Sequence, residues 1–311
     1  MNTWATAHAP PSIGNVAVGF DVLGQSFEAP GDKATVRRID EREVRIKAIR
    51  GVVSQLPTDA EKNTAGRALK ALLATADPGF GFEVELDKGI PLGSGMGGSA
   101  ASAVAALVAA NALLPKPVSL TVLYELAREG EAAASGSRHG DNVAPMLLGG
   151  LTLAPEKGAP VSLAVPASLF CAVVHPHFVL ETRKAREALR GSYALHDFVR
   201  QSEHLAMVLA GCFKNDLDLI RRGLSDVLIE PRRAALVPGF ASVKAAALAS
   251  GALGASISGA GPSVFAWTDG RDAAQRAGNA MKAAFEAAGQ KADVFVSPVA
   301  GPAAKVEACG A

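Results

Sequence analysis

Pro91-Leu92-Gly93-Ser94-Gly95-Met96-Gly97-Gly98-Ser99-Ala100-Ala101 joins an alternating segment, Phe80 to Leu86, to an apolar run from Ala100 to Leu114. Every position from Gly93 to Ser99 except Met96 is Gly or Ser. Glycines let a backbone turn successive N–H groups toward one point, and a helix start adds partial positive charge there. Together they make an anion site suited to phosphate. A plain flexible loop is the alternative for any Gly-rich stretch; the helix that follows at once and the Ser99 hydroxyl favour phosphate. Gly93, Gly95 and Gly98 also spell GxGxxG. A dinucleotide fingerprint, however, needs a strand running straight into the first Gly and an acid about twenty residues past the last. Pro91 intervenes, and residues 115–120 hold no acid. No Gly-Lys-Ser/Thr occurs, which removes a Walker loop.

Working outward, Lys33 to Ile49 alternates, with Val44, Ile46 and Ala48 in step, and predicts strands in a hairpin. Asn63 to Ala74 reads as a helix and Phe80 to Leu86 as a strand. The Ala-rich run to Leu114 reads as a buried helix stopped by Pro115, and a further helix over Leu120 to Ala134 follows a cap at Ser119. In the second half, Leu169 to Val174, Ser263 to Trp267 and Asp293 to Ser297 read as strands. Segments 196–214, 216–224, 240–250 and 272–288 read as helices. The tail from Gly301 is expected to be loose. The junction falls between Gly150 and Val165, giving domains 1–155 and 156–311.

The 311 residues suit two domains, and 49% hydrophobic with 20% charged residues folds and buries a core. Basic and acidic residues nearly cancel, 31 against 30, and aromatics are 5%, so neither nucleic acid nor an anionic membrane surface is an expected partner. Cys171, Cys212 and Cys309 form no CxxC pair, which predicts a reducing, cytoplasmic setting without disulfides or a zinc cage. The N-terminus lacks a signal-peptide pattern, and no apolar stretch is long enough to span a bilayer.

Two further segments join the glycine loop: Ala9-Pro10-Pro11-Ser12-Ile13-Gly14-Asn15-Val16-Ala17-Val18-Gly19-Phe20-Asp21 and Ser258-Gly259-Ala260-Gly261-Pro262-Ser263. In this order and at these distances the three resemble the signature motifs of the GHMP kinases, over roughly Thr6 to Ser297. Within that superfamily, Arg138-His139-Gly140-Asp141-Asn142-Val143-Ala144-Pro145, Glu181-Thr182-Arg183-Lys184-Ala185-Arg186, Glu230-Pro231-Arg232-Arg233 and Leu236-Val237-Pro238-Gly239-Phe240 resemble the homoserine kinases. The resemblance implies an α+β, two-domain fold: an N-terminal kinase domain (ribosomal S5-like) and a C-terminal ferredoxin-like α/β sandwich, with the site in the cleft between. It implies ATP and Mg²⁺ as cofactors, L-homoserine as the small-molecule substrate, threonine biosynthesis as the setting, and a homodimer. Ala17 stands where the first motif often has Gly, and Gly98 where the loop often has a first Ser.

Residue roles follow from the same resemblance. Ser99 and Glu131 are the metal ligands, against a reading of Glu131 as a solvated helix carboxylate. Pro91, Leu92, Gly93, Ser94, Gly95, Met96, Gly97, Gly98 and Ser99 hold the nucleotide phosphates. Lys88 either adds charge there or is a solvated lysine at a strand end. Asn63 faces the adenosine or caps a helix. Asp21 and Asn15 suit the substrate's ammonium and hydroxyl end. Arg186 and Arg233 suit its carboxylate, unless they serve surface ion pairs. Gly259 lies in a second nest of N–H groups. Asn142 occupies a position where relatives often carry an aspartate base, so His139 and Asn142 are expected to orient substrate, with Asp141 as fallback base. Kinases of mevalonate, shikimate or a methylerythritol derivative, and a catalytically inactive nucleotide binder, are the competing readings.

Overall fold

The computed structural model describes residues 2–136 and 138–311. Its strands are β1 (Trp4–Ala9), β2 (Ser12–Gly14), β3 (Leu23–Ser26), β4 (Asp32–Ile39), β5 (Val44–Gly51), β6 (Gly81–Lys88), β7 (Leu151–Leu153), β8 (Val161–Leu163), β9 (Leu169–Pro176), β10 (Gly254–Ile257), β11 (Val264–Asp269), β12 (Ala292–Pro298) and β13 (Lys305–Gly310). Its α-helices are α1 (Thr64–Ala76), α2 (Gly98–Asn111), α3 (Leu120–Ser135), α4 (Val143–Leu148), α5 (Thr182–Glu187), α6 (Leu195–Lys214), α7 (Leu217–Gly223), α8 (Glu230–Arg233), α9 (Phe240–Ala249) and α10 (Arg271–Ala287).

A five-stranded sheet, β13-β1-β4-β6-β5, packs against α2, which also touches α1 and α3. Helix α2 is apolar all round, as a helix buried on every side must be, and its residues Ala100 to Leu107 are all buried. A second sheet, β10-β11-β9-β12, is antiparallel and carries α9 and α10. A third, β2-β3-β7-β8, links the halves. One apolar core runs through both: Phe82, Leu107 and Leu72 belong to the same cluster as Phe265 and Trp267. The Trp267 indole N–H donates to Gln25 Oε1 (2.7 Å), and Gln25 Nε2 reaches Cys171 Sγ (3.1 Å). Among the described residues, no helix is long and apolar enough to cross a membrane.

Two expectations change. Residues 33–49 are not a hairpin: β6 lies between β4 and β5 and pairs with β5 in parallel. Alternation fixes which face a residue takes, not which strand it pairs with. Parallel pairing needs a crossover, and α1 supplies it between β5 and β6. The tail is not loose. Lys305–Gly310 forms β13 on the edge of the first sheet, with Ala5 opposite Cys309 and Thr6 opposite Ala308. Nearly all of β13 is exposed, so no apolar face marks it in the sequence. Two pairings join residues on either side of position 155, β13 with β1 and β8 with β7.

Candidate active site

The three Gly-containing segments are sewn together by hydrogen bonds to carbonyls of the central loop. Ser12 N–H donates to Met96 O (3.1 Å) and Leu180 N–H to Gly93 O (3.0 Å). Ser263 reaches Ser94 O with both its N–H (3.2 Å) and its hydroxyl (2.7 Å). Ser258 Oγ donates to Gly95 O (2.7 Å), Thr64 Oγ1 to Ser99 O (3.0 Å), and Lys88 Nζ to Gly98 O (2.7 Å). With the carbonyls drawn inward, the N–H groups of Gly95 and Gly97 find no acceptor among the described residues. The first-turn N–H groups of α2 lack intrahelical partners by helix geometry, and its cap, Gly97, offers no side chain. Gly93, Gly95 and Gly97 adopt left-handed φ of 58°, 77° and 73°. A Cβ on Gly95 would come within 2.6 Å of Ser258 O.

Met96 departs from the expected phosphate set. Its side chain is buried in the core, its N–H faces Ser94 Oγ (3.3 Å), and it does not border the cleft. Lys88 is not solvated; it borders the cleft, but its ammonium is bound beneath the loop. It is buried with Asp32, which also accepts from Ser102 Oγ (2.8 Å), Gly89 N–H (3.1 Å) and Ile90 N–H (3.2 Å). Lys88 therefore props the loop from below. Asn63 borders the cleft, but its Oδ1 caps α1 by accepting from Ala65 and Gly66 N–H (3.0 and 3.2 Å).

The cleft beside this loop holds about 640 Å³. Leu56, Pro57, Asn63 and Leu92 border it, and so does a second group, Asn15, Phe20, Asp21, His139 and Arg233. That second group is built around a left-handed turn, with φ of 69°, 41° and 58° at Asn15, Val16 and Ala17 and 60° at Asp21. Asn15 Oδ1 accepts Asp21 N–H (3.0 Å), and its Nδ2 donates to Gly259 O (2.9 Å). Arg186 grips Asp21 through two bonds of 2.8 and 2.7 Å, which raises its own pKa. Arg233 donates to Gly259 O (2.9 Å) and Ala185 O (3.2 Å). Burial, helped by the Arg186 charge, lowers the Arg233 pKa to about 10. His139 Nδ1 stands 3.6 Å from Asp21 Oδ2, beyond hydrogen-bond distance, and burial lowers its pKa.

Asp141 is buried and accepts Asn15 N–H (3.2 Å). Burial, with the nearby Asp21 charge, pushes its pKa up to about 7. Asn142 Oδ1 accepts the Ser12 hydroxyl (2.8 Å). Ser12 and Phe20 were not among the expected site residues, although both lie inside the first motif and so had a positional signal.

Ser99 Oγ donates to Glu131 Oε1 (2.7 Å), bringing loop and α3 together. Burial raises the Glu131 pKa to about 7, against the lowering effect of the Ser99 bond. One hydroxyl and one carboxylate are hard oxygen donors of the kind Mg²⁺ accepts, and a buried carboxylate gains from a cation beside it. Among the described residues no three His, Cys, Asp or Glu side chains form a cage. A divalent ion here would therefore take its other ligands from phosphate and water.

A helix start with unpaired N–H groups, the part-buried Ser99–Glu131 pair and the charges of Asp21, Arg186 and Arg233 all border one cleft, and the chain belongs to the GHMP kinases. Residues 63–150 match the family model for the GHMP kinases N terminal domain, and residues 208–287 that for the GHMP kinases C terminal. The chain is 60% identical over 302 residues to the homoserine kinase of Xanthomonas campestris pv. campestris, covering 97% of this chain and 94% of that one. The crystal structure of homoserine kinase from Cytophaga hutchinsonii superposes with a TM-score of 0.93 at 44% identity, covering 98% of each chain. A mevalonate kinase from L. major gives 0.67 at 14% identity, a likeness of fold alone.

Proposed function

We propose that the protein is a homoserine kinase, transferring the γ-phosphoryl group of ATP to the side-chain hydroxyl of L-homoserine to give O-phospho-L-homoserine. The observation that carries the reading is the charge set bordering the cleft: one carboxylate, Asp21, and two guanidiniums, Arg186 and Arg233. Homoserine carries an ammonium and a carboxylate. In the free protein Asp21 and Arg186 satisfy each other. The substrate exchanges that pair for two of its own, ammonium to Asp21 and carboxylate to Arg186 and Arg233. A planar guanidinium suits a carboxylate's two oxygens.

The hydroxyl then points toward the loop. Phosphoryl transfer depends on positioning and charge neutralisation more than on covalent help. The N–H groups of Gly95, Gly97 and the first turn of α2 hold the phosphates. The homoserine oxygen forms a bond to the γ-phosphorus, the bond to the β-bridging oxygen breaks, and ADP leaves. Asn15 and Asn142 orient the hydroxyl end. The hydroxyl proton passes to a phosphate oxygen or water, because Asn142, where relatives often carry an aspartate base, cannot accept it. Ser99 and Glu131 would hold Mg²⁺, which when bound neutralises phosphate charge. The reading includes a cytoplasmic homodimer, and light scattering at twice the 31.7 kDa chain mass checks the assembly.

The test is ADP release with Mg-ATP and L-homoserine, mevalonate, shikimate, a methylerythritol derivative or galactose. Strong selectivity for homoserine is expected. Turnover on an alcohol without an ammonium refutes the roles of Asp21, Arg186 and Arg233. ATP binding without turnover supports an inactive relative.

A further inference from the structure

We infer that Phe20 is a positioning residue for substrate recognition: its ring braces both Arg186 and Arg233 and so makes the site selective for alcohols that carry a carboxylate. The inference rests on the homoserine reading. Phe20 borders the cleft, next in sequence to the carboxylate that Arg186 grips. The guanidinium carbon of Arg186 stands 5.2 Å from the ring centroid and that of Arg233 5.3 Å. Both lie within cation–π range.

Each cation has its own anchor. Arg186 is tied to Asp21, and Arg233 to the carbonyls of Ala185 and Gly259. Neither anchor hydrogen-bonds to both, and the two positive charges repel. One aromatic ring, negative over its faces, attracts both. Its importance grows when substrate arrives. The ammonium then draws on the Asp21 carboxylate, and Arg186 loses part of the bidentate grip that fixes it in the free protein. The ring stays. It offers no hydrogen-bond partner of its own, so it leaves the guanidinium N–H groups to the incoming carboxylate. An alcohol lacking the carboxylate gains nothing from this arrangement.

The experiment compares the parent chain with Phe20→Leu and Phe20→Tyr, using Mg-ATP and two alcohols, L-homoserine and 3-aminopropan-1-ol, which is homoserine without its carboxylate. In Phe20→Leu the KM for homoserine should rise about tenfold, the loss expected for two partly buried cation–π contacts. The KM for ATP should stay unchanged, and the ratio of kcat/KM for homoserine over 3-aminopropan-1-ol should fall by the same factor. Phe20→Tyr keeps a ring and should keep the parent's ratio. If Phe20→Leu does not fold, Phe20→Met, also ringless and flexible, takes its place. A leucine or methionine variant that retains the parent's ratio, or whose KM values for both alcohols rise equally, overturns the inference alone. A parent chain that does not prefer homoserine overturns the homoserine reading and this inference with it.

Discussion

Replacing Lys88 with Met should cost stability rather than phosphate affinity. Its ammonium sits under the loop against Asp32, Ser102 Oγ (2.8 Å) and Gly98 O (2.7 Å), with both members of the ion pair buried. Removing one partner of a buried ion pair costs about 3–5 kcal/mol. Asp32 would keep its bonds from Ser102, Gly89 and Ile90, so its charge is not stranded. That places Lys88→Met near the lower end, about 3 kcal/mol. Asp32→Asn leaves a buried ammonium beside an amide and belongs nearer the upper end, about 5 kcal/mol. Urea unfolding followed by circular dichroism measures both. With a slope of about 3 kcal/mol per molar, Lys88→Met should lower the midpoint by about 1 M. The double variant should lose less than the sum of the two by about 2 kcal/mol, because the ion pair that each single change breaks can be lost only once. In the folded range the KM for ATP should rise less than about threefold, under 1 kcal/mol, since the loop's other carbonyls keep their partners. A Lys88→Met chain as stable as the parent, with a KM for ATP raised tenfold, would refute this reasoning: the ammonium would then leave Asp32 to meet the phosphates.

Gly95→Ala should raise the KM for ATP at least tenfold and lower the melting temperature by several degrees. A left-handed alanine alone costs about 1–2 kcal/mol, and its Cβ would press on two backbone carbonyls, Ser258 O and Gly261 O. Glu131→Gln keeps an oxygen for the Ser99 hydroxyl but loses the charge. Turnover should fall by about a hundredfold at an unchanged melting temperature, and steady-state rates holding above half the parent value would remove Glu131 from the metal site. Asp141 gives a pH effect. Its folded pKa, about 7, lies above its ordinary 3.8, so the folded chain holds a proton that the unfolded chain releases. Its contribution is fully present below about pH 4 and lost as pH rises through 7. The melting temperature of the unliganded protein should therefore fall from pH 5 to pH 8, and Asp141→Asn should flatten that fall.

Periodicity and caps were enough where an element carries its own signal. Asn63 and Ser119 cap α1 and α3 as their positions foretell, and the all-apolar run after the loop is the buried α2. Pairing partners were not legible, because β5 and β13 show no residue pattern that names β6 or β1. The first strand hides for a related reason: Ala5, Ala7 and Ala9 alternate inward, but alanine is too small to stand out as a strand former. In the site, the loop and the arginines could be placed on the motifs. The state of Lys88 could not, because its burial depends on Asp32, 56 residues earlier, arriving beneath the same loop. Phe20 stood in plain sight beside Asp21, but its ring matters only once two distant arginines converge on it.

The left-handed turn at Asn15–Ala17 explains how one short segment can serve the cleft three times. Left-handed φ at three successive non-glycine residues costs about 3–6 kcal/mol at 1–2 each, so the surroundings must fix it. They do so from several sides. Asp141 accepts the Asn15 N–H, Gly19 N–H closes onto Asn15 O (2.9 Å), Asn15 Oδ1 takes the Asp21 N–H, and Asn15 Nδ2 ties the turn to Gly259. In an extended chain, residues 15, 20 and 21 would spread over about 20 Å at 3.3 Å per residue. The tight turn instead brings the Asn15 amide, the Phe20 ring and the Asp21 carboxylate to the border of one cleft. The strain is thus tied to the site itself. Asp141, buried and accepting the turn's first N–H, is part of that support, and in the proposed reaction it steadies the Asn15 backbone rather than taking the substrate's proton.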